Sequence, residues 1–526
     1  MAESAANKPT TGRAAAAMVA AGIFLSRIAG LIRDRVFAHY FGNSDAADAF
    51  RAAFRIPNFL QNLFGEGVLS ASFIPVYARL RAERDDREAS QLAEVVFALL
   101  FLTASLIVAV GIVTTPWLID AIAPGFRGEK RELTITLVRI LFPGAGLLVF
   151  SAWCLGVLNS HRRFFLSYAA PIIWNAAIII AFLWRGGLVD SYALARVVAW
   201  GSVAGSALQF GVQLPIVLKL LWPLRVRLHL GQHVRTVIRN FFPAFVARGV
   251  VQISAYIDAL LASFLPTGAV AALSYAQTLY TLPVSLFGMS VSAAELPAMS
   301  SALGTAEEVA RVLRERIARG IEKVSYFVVP SAAAFFFLGD VVVATIYRTG
   351  VFGRADVVYV WGVLAGSSVG LLASTIGRLY SSAFYALRDT RTPLKFATLR
   401  VFLTLALGYL FAFPLPRAVG IDQKWGVAGL TLSAGIAGWI EFAMLRNSMH
   451  GRIGIVPFST SRLVKLWMAA IIAAAAGFGV RLVAPVENAV LAGVVILIPY
   501  GLIYLAMTQI LGVSTIRETI GALRRR

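Results

Sequence analysis

Cysteine, histidine and charged residues are all scarce in this 526-residue chain. The lone cysteine, Cys154, cannot form an intramolecular disulfide and has no neighbouring cysteine with which to bind a metal. The five histidines are scattered near the ends of predicted helices, which argues against a metal site. The sequence also lacks a phosphate-binding glycine loop and a nucleophile elbow, so we expect no enzymatic activity and no cofactor.

Charged residues make up only 14% of the chain, whereas hydrophobic residues make up 58%. This balance lies outside the range of soluble globular proteins and predicts an all-α polytopic membrane protein. Apolar stretches long enough to cross a bilayer predict 14 transmembrane helices. The predicted spans are 14–38, 46–77, 91–115, 132–158, 166–186, 191–221, 238–263, 268–299, 321–346, 355–386, 394–414, 424–446, 463–484 and 488–511.

The formal net charge of +21 is distributed over the predicted loops rather than gathered in a basic domain, so we do not expect nucleic-acid binding. If the N-terminus is inside, the even-numbered loops and both termini carry about three times as many Lys and Arg residues as the odd-numbered loops. The positive-inside rule therefore predicts that both termini are cytoplasmic and that anionic membrane lipids contact the inner surface. The absence of a convincing cleavage site after the first apolar run favours a retained helix over a signal peptide.

An internal repeat divides the predicted spans into two copies. Shifting the chain by about 224 residues places Gly42 on Gly268, Pro57 on Pro283 and Trp200 on Trp425. Because each copy has six spans, the two should be parallel repeats, followed by two extra C-terminal helices. The predicted organisation is a cytoplasmic N-terminus (1–13), an N-lobe (14–221), a cytoplasmic linker (222–237), a C-lobe (238–447), spans 13 and 14 (448–511) and a basic cytoplasmic tail (512–526).

The most informative segment lies within the first two predicted spans, because charged residues interrupt their apolar runs. A charge at the centre of a bilayer costs about 2.5–3.5 kcal/mol on insertion scales, so such residues normally face a protein interior or a wet cavity. At 100° per residue, six polar residues of the second span fall within an arc of about 80°: Asp48, Arg51, Arg55, Asn58, Asn62 and Glu66. We predict a polar cavity lined by Arg27, Arg33, Asp34, Asp48, Arg51, Arg55, Asn58 and Glu66, with Arg248 added from the seventh span. The simpler alternative is an internal salt-bridge network that only holds helices together.

Several motifs give this chain a specific resemblance. They are Ser26-Arg27-Ile28-Ala29-Gly30-Leu31-Ile32-Arg33-Asp34, Asp48-Ala49-Phe50, Arg55-Ile56-Pro57-Asn58-Phe59-Leu60, Glu66-Gly67, Phe73-Ile74-Pro75, the run Leu158 to Phe165 and the run Phe384 to Pro393. Together they resemble the MurJ (MviN) family of lipid II flippases, part of the multidrug/oligosaccharidyl-lipid/polysaccharide exporter superfamily. The resemblance covers essentially the whole chain.

The resemblance implies that the substrate is lipid II, the undecaprenyl-diphosphate-linked disaccharide-pentapeptide, moved to the outer leaflet of the bacterial inner membrane for peptidoglycan synthesis. It also implies that Arg33 binds the diphosphate, that Asp34 orients it or responds to changes in charge, and that spans 13 and 14 form a groove for the lipid tail. We expect a monomer.

Two positions depart from the family pattern, since Gln61 and Thr278 stand where the family has cavity arginines. We hypothesise that Arg51 takes over part of this role, because it shares the polar face of Arg55. The alternatives are an exporter of another polyprenyl-diphosphate-linked saccharide, a multidrug antiporter and a non-transporting scaffold. The excess of arginine over acidic residues in the predicted cavity favours an anionic substrate over the cations that drug antiporters carry.

Overall fold

The computed structural model describes residues 10–64, 66–221, 231–302, 304–483 and 486–513. Within these ranges, only the backbone is described at 10–20, 57, 66–67, 243–244 and 246–255. Most of the predicted N-terminus, linker and tail therefore lies outside the described residues. The described part consists of helices and connecting turns, with a single isolated bridge between Thr349 and Phe352. This architecture confirms the predicted all-α class.

The chain divides into two compact units, Met1–Leu260 and Leu261–Arg526. The first unit contains helices α1 (Thr10–Phe41), α2 (Asp45–Phe64), α3 (Glu66–Ser72), α4 (Ile74–Ala82), α5 (Asp86–Ile122), α6 (Gly128–Ser160), α7 (Phe164–Arg185), α8 (Ser191–Leu220) and nearly all of α9 (Gln232–Ala262). In this unit α1 packs against α7 and α2 against α6, and α8 contacts both α6 and α7.

The second unit begins with α10 (Ala269–Pro283), a π-helical turn (Val284–Met289) and α11 (Ser290–Ser300). It continues with α12 (Ala306–Phe337), α13 (Gly339–Tyr347), α14 (Arg354–Val369), α15 (Leu371–Ala386), α16 (Arg391–Ala412), α17 (Pro414–Val419), a short 3₁₀ turn (Gln423–Trp425), α18 (Gly426–Ile453), α19 (Thr460–Val483) and α20 (Ala489–Ile510).

Nine of the described helical segments are long and apolar enough to cross a membrane, or eleven if each of two bent pairs counts as one span. The three other predicted spans lie on α1, on α2 with the short helices after it, and on α9. Composition alone does not identify α2 as a span, because it carries four charged residues in 20. The count of 14 spans is compatible with these helices and stays a prediction, as do the predicted lobe boundaries.

Two predicted spans are bent rather than straight. The span predicted at 321–346 consists of α12 and α13, which meet at 83°, and the span predicted at 355–386 consists of α14 and α15, which meet at 41°. Glycine occupies both bends. A Cβ on Gly339 would come within 2.4 Å of the Trp361 ring, and one on Gly370 within 2.5 Å of the Gly435 backbone, so each bend brings neighbouring helices into closer contact than a side chain would allow.

The turns between helices support the predicted repeat. Gly42 and Gly268 both have positive φ values, 54° and 88°, and they are 226 residues apart. Arg162 and Arg388, also 226 residues apart, have φ values of 59° and 60° at the ends of α6 and α15. In each of these two turns, the backbone N–H of the next residue donates to a carbonyl five residues earlier, at 2.9 Å. An arginine with positive φ is uncommon, so its recurrence at this offset is strong support for two copies.

Candidate functional site

A tight turn between α1 and α2 brings the charged residues of these helices together. Gly42, with a φ of 54°, ends α1, and its N–H donates to the Ala38 carbonyl at 3.0 Å. Ser44 starts α2, and its hydroxyl accepts the Ala47 N–H at 3.3 Å. Because α2 runs back along α1, residues 17 apart in sequence become neighbours across the hairpin.

Asp34 is the centre of this arrangement. Its Oδ1 accepts hydrogen bonds from Arg33 Nη2 at 3.1 Å and from Arg51 Nη2 at 3.2 Å, which ties the two helices together. The Asp34 side chain is only 5% exposed, whereas those of Arg33 and Arg51 are 20% and 13% exposed. A buried carboxylate of this kind is stable only with paired, hydrogen-bonded cations. It also holds two guanidinium groups in fixed positions.

Aromatic rings support the same two arginines. The Arg33 guanidinium lies 5.2 Å from the centre of the Trp174 ring in α7, and the Arg51 guanidinium lies 4.1 Å from the centre of the Phe37 ring in α1. Such cation–π contacts contribute about 0.5–2 kcal/mol each, depending on desolvation. Trp174 is itself held by a hydrogen bond from Nε1 to Ser202 Oγ at 3.2 Å. Together with Gly205, which lets the Trp174 ring approach α8, this bond fixes the ring under Arg33.

Arg55 lies one helical turn beyond Arg51 on α2. Its guanidinium lies 5.9 Å from the centre of the Tyr256 ring in α9, and the Tyr256 hydroxyl donates to the Arg55 carbonyl at 2.9 Å. Asp258 of α9 interacts electrostatically with Arg55. The Arg55 Nη1 atom is buried and has no hydrogen-bond partner among the described residues. We call Arg33, Asp34, Arg51 and Arg55 the arginine group.

Asp48 belongs to a different contact. Its side chain is 1% exposed, and its Oδ2 lies 2.6 Å from Nζ of Lys130 in α6, which also lies 2.9 Å from Asp45 Oδ1. This ion pair joins α2 to α6. Lys130 was not among the predicted residues. The sequence offered one indication of this contact, because α2 and the predicted fourth span both start on the same predicted side of the membrane.

The structure describes the remaining predicted residues only in part. Arg27 is exposed on α1, and Asn58 is half-buried one turn beyond Arg55. The side chains of Glu66 and Arg248 lie outside the described residues. Of the two positions that depart from the family pattern, Gln61 is half-buried on α2, and the Thr278 hydroxyl donates to the Ser274 carbonyl of its own helix at 3.0 Å.

The charge balance of the arginine group favours an anion. Its three arginines are opposed by Asp34 and by Asp258 nearby, so the group keeps a net positive charge. Arginine donates in pairs from a planar fork and stays charged at any physiological pH, which suits phosphate oxygens. No group of three or more metal-ligating side chains occurs in the part of the chain that the structure describes.

A second cluster of polar side chains lies at the turn after α6, outside the membrane-spanning segments. His161 Nε2 lies 2.9 Å from the Tyr77 hydroxyl, and His161 Nδ1 lies 2.9 Å from Arg81 Nη1. Because arginine can only donate, the facing ring nitrogen must accept, which requires a neutral imidazole. Partial burial and the positive charges of Arg81 and Arg163 accordingly lower the pKa of His161 from 6.5 to about 4.

Comparison with known proteins identifies the family. The family model described as "Lipid II flippase MurJ" matches residues 37–513. The lipid II flippase MurJ of Burkholderia cenocepacia is 32% identical over 439 residues, which cover 81% of this chain and 82% of that protein. The probable lipid II flippase MurJ of Rhizobium meliloti is 30% identical over 466 residues, which cover 86% and 83% of the two chains.

Solved structures agree with the sequence relatives. A lipid II flippase MurJ in an inward closed conformation is similar with a TM-score of 0.77 at 25% identity, covering 94% of this chain and 98% of that one. An inward-facing multidrug resistance transporter of the MATE family, in the MOP superfamily, is similar with a TM-score of 0.63 at 17% identity, covering 81% and 95%. The second likeness concerns the fold alone. The chain is a multi-pass membrane protein and belongs to the MurJ family of lipid II flippases.

Proposed function

We propose that this chain carries lipid II from the inner to the outer leaflet of the bacterial cytoplasmic membrane by alternating access, with both termini in the cytoplasm. Its action on the cargo is transport without chemical change, so the chain is not an enzyme. Family membership over residues 37–513 supports the cargo, and the positive-inside charge distribution supports the orientation.

The observation that carries this proposal is the buried Nη1 donor of Arg55, which has no hydrogen-bond partner among the described residues and lies within a net positive group. A buried donor without a partner costs about 1–3 kcal/mol, and an anionic oxygen would remove this cost. Lipid II presents such oxygens in its diphosphate. Arg33 and Arg51, already oriented by Asp34, would contribute further charge-assisted hydrogen bonds with little loss of side-chain entropy.

The proposed roles differ among the predicted residues. Arg33, Arg51 and Arg55 contact the diphosphate, and Asp34 is a positioning residue that acts through the two arginines it binds. For Asp48 the ion pair with Lys130 favours a positioning role for α2 over direct contact with the cargo. Arg27, Asn58, Glu66 and Arg248 stay proposed contacts of the cargo.

The test of this function combines complementation with competitive binding. In a bacterial strain depleted of its own lipid II flippase, the wild-type chain should restore growth, whereas Arg33→Ala and Arg55→Ala should not. The matched control is Arg139→Ala, since Arg139 is an exposed arginine on a predicted span of the same unit and donates to the Ile112 carbonyl at 3.3 Å. Growth restored fully by Arg33→Ala or Arg55→Ala would contradict the proposal.

Competitive binding separates lipid II from related cargo. Purified protein should bind lipid II in preference to an undecaprenyl-diphosphate-linked O-antigen precursor, which carries the same diphosphate but a different saccharide. Equal binding of both lipids would instead support an exporter of polyprenyl-diphosphate-linked saccharides in general.

A further inference from the structure

A cavity of about 740 Å³ lies within the second unit, where α13 turns away from α12. Its walls come from α12, α13, α14, α19 and the start of α20. The 83° bend between α12 and α13 creates the space, and Trp361 of α14 closes one side of it by donating from Nε1 to the Phe336 carbonyl at 3.1 Å. This volume is typical of sites for a small ligand or part of a lipid.

Positive charge predominates in this cavity. Three arginines line it, Arg348, Arg354 and Arg481, against the two acids Asp340 and Glu487. Arg481 Nη1 is paired with Asp340 Oδ2 at 2.6 Å. Arg348 and Arg354 are exposed and make no salt bridge within the part of the chain that the structure describes. Two arginines therefore remain available to an anion.

The rest of the lining is apolar and accessible. Phe337, Val358 and Phe478 are 45%, 38% and 50% exposed, although each is a large hydrophobic side chain at the cavity. In a membrane protein such a surface faces lipid chains. The positive-inside rule predicts that this end of α12, α19 and α20 lies at the outer surface of the membrane, where lipid headgroups meet the acyl region.

We propose that this cavity binds one phospholipid of the outer leaflet, with its phosphate between Arg348 and Arg354 and the start of an acyl chain against Phe337 and Phe478. Arginine is suited to the phosphate, and the exposed aromatic rings are suited to the chain. The volume accommodates a phosphate with a glycerol-sized headgroup, which is why a phospholipid is favoured over a lipid with a disaccharide-pentapeptide headgroup. This assignment does not rest on the proposed transport of lipid II.

The experiment is native mass spectrometry of the purified, delipidated full chain titrated with phosphatidylglycerol. The wild-type protein should bind one lipid that the Arg348→Ala/Arg354→Ala variant binds about tenfold more weakly, since two charge-assisted contacts are lost. The matched control is Arg417→Ala/Lys424→Ala, which removes two exposed positive charges from the same predicted side of the same unit. This control should bind phosphatidylglycerol as the wild type does, and size-exclusion chromatography checks that all proteins are folded.

Competing ligands identify the chemistry of the site. Phosphatidylcholine should bind, because it keeps the phosphate, whereas diacylglycerol should not. Equal binding of diacylglycerol, an unchanged affinity in Arg348→Ala/Arg354→Ala, or an equal loss in the control variant would overturn the proposal. Displacement of the bound lipid by inorganic phosphate alone would assign the site to free anions. Displacement by lipid II would assign the site to the cargo. Either result would also overturn the proposal.

Discussion

The ion pair between α2 and α6 should stabilise the first unit, and its two partners should contribute unequally. Lys130 Nζ lies 2.6 Å from Asp48 Oδ2 and 2.9 Å from Asp45 Oδ1. At an effective dielectric constant of about 20, opposite charges 2.6 Å apart attract by about 6 kcal/mol, part of which offsets desolvation. Lys130→Ala removes the cation that lies 2.6 Å from the buried carboxylate of Asp48, so we expect a loss of about 3–5 kcal/mol in the free energy of unfolding.

The opposite change should be milder. Asp48→Ala leaves Lys130 beside Asp45, whose side chain is 41% exposed, and should cost about 1–3 kcal/mol. The free energy of unfolding can be measured by titrating the protein in mixed micelles with a denaturing detergent. In the Asp48→Ala/Lys130→Ala double variant, the total loss should be smaller than the sum of the two single losses, because the two residues interact directly.

The control for this cycle is Arg131→Ala, on the same helix. Arg131 pairs with Asp120 at 2.8 Å, but the two side chains are 25% and 51% exposed, so we expect a much smaller loss of stability than in Lys130→Ala. A Lys130→Ala variant no less stable than Arg131→Ala would refute the reasoning. If Asp48→Ala instead left stability unchanged and lowered the affinity for lipid II, Asp48 would contact the cargo directly.

Two further predictions concern single side chains. Trp174→Ala should weaken lipid II binding about 2- to 30-fold, because Arg33 loses a cation–π contact of about 0.5–2 kcal/mol. Trp174→Phe keeps an aromatic face and should weaken binding less. Equal affinities of the wild type, Trp174→Ala and Trp174→Phe in a binding titration would contradict this. The pKa of His161 is about 4 in the folded chain against 6.5 for the free side chain, so acidification protonates the unfolded chain first. The contribution of neutral His161 to the free energy of unfolding is therefore fully present above pH 6.5 and is lost as the pH falls toward 4. His161→Gln should flatten this loss in thermal unfolding between these pH values, and an unchanged slope would show that other groups cause it.

The helices and the polar face of α2 could be predicted from the sequence because both depend on local patterns. Apolar runs of about 20 residues predict spans, and the helical period places Arg51 and Arg55 on one side of α2. The contact of Arg51 with Asp34 then follows from the short turn at Gly42, which makes α1 and α2 neighbours.

The contacts between distant helices could not be predicted in this way. Nothing in the local pattern relates Lys130 to Asp48, since their contact depends on the packing of α2 against α6. Trp174 lies in an apolar run, so the sequence does not distinguish an indole that contacts Arg33 from one that only packs against other helices. The bend at Gly339 also escaped prediction, because glycine is common in membrane helices whether they bend or not.

The most direct test of lipid II transport measures how much lipid II reaches the outer leaflet. In intact cells depleted of their own flippase, an externally added lipid II hydrolase cleaves only the lipid II exposed outside. Cells that express the wild-type chain should regain cleavage, and cells that express Arg33→Ala/Arg55→Ala at equal membrane levels should not, whereas Arg139→Ala should behave as the wild type. Equal cleavage with the wild-type chain and with Arg33→Ala/Arg55→Ala, or no cleavage with a folded wild-type chain, would contradict the account.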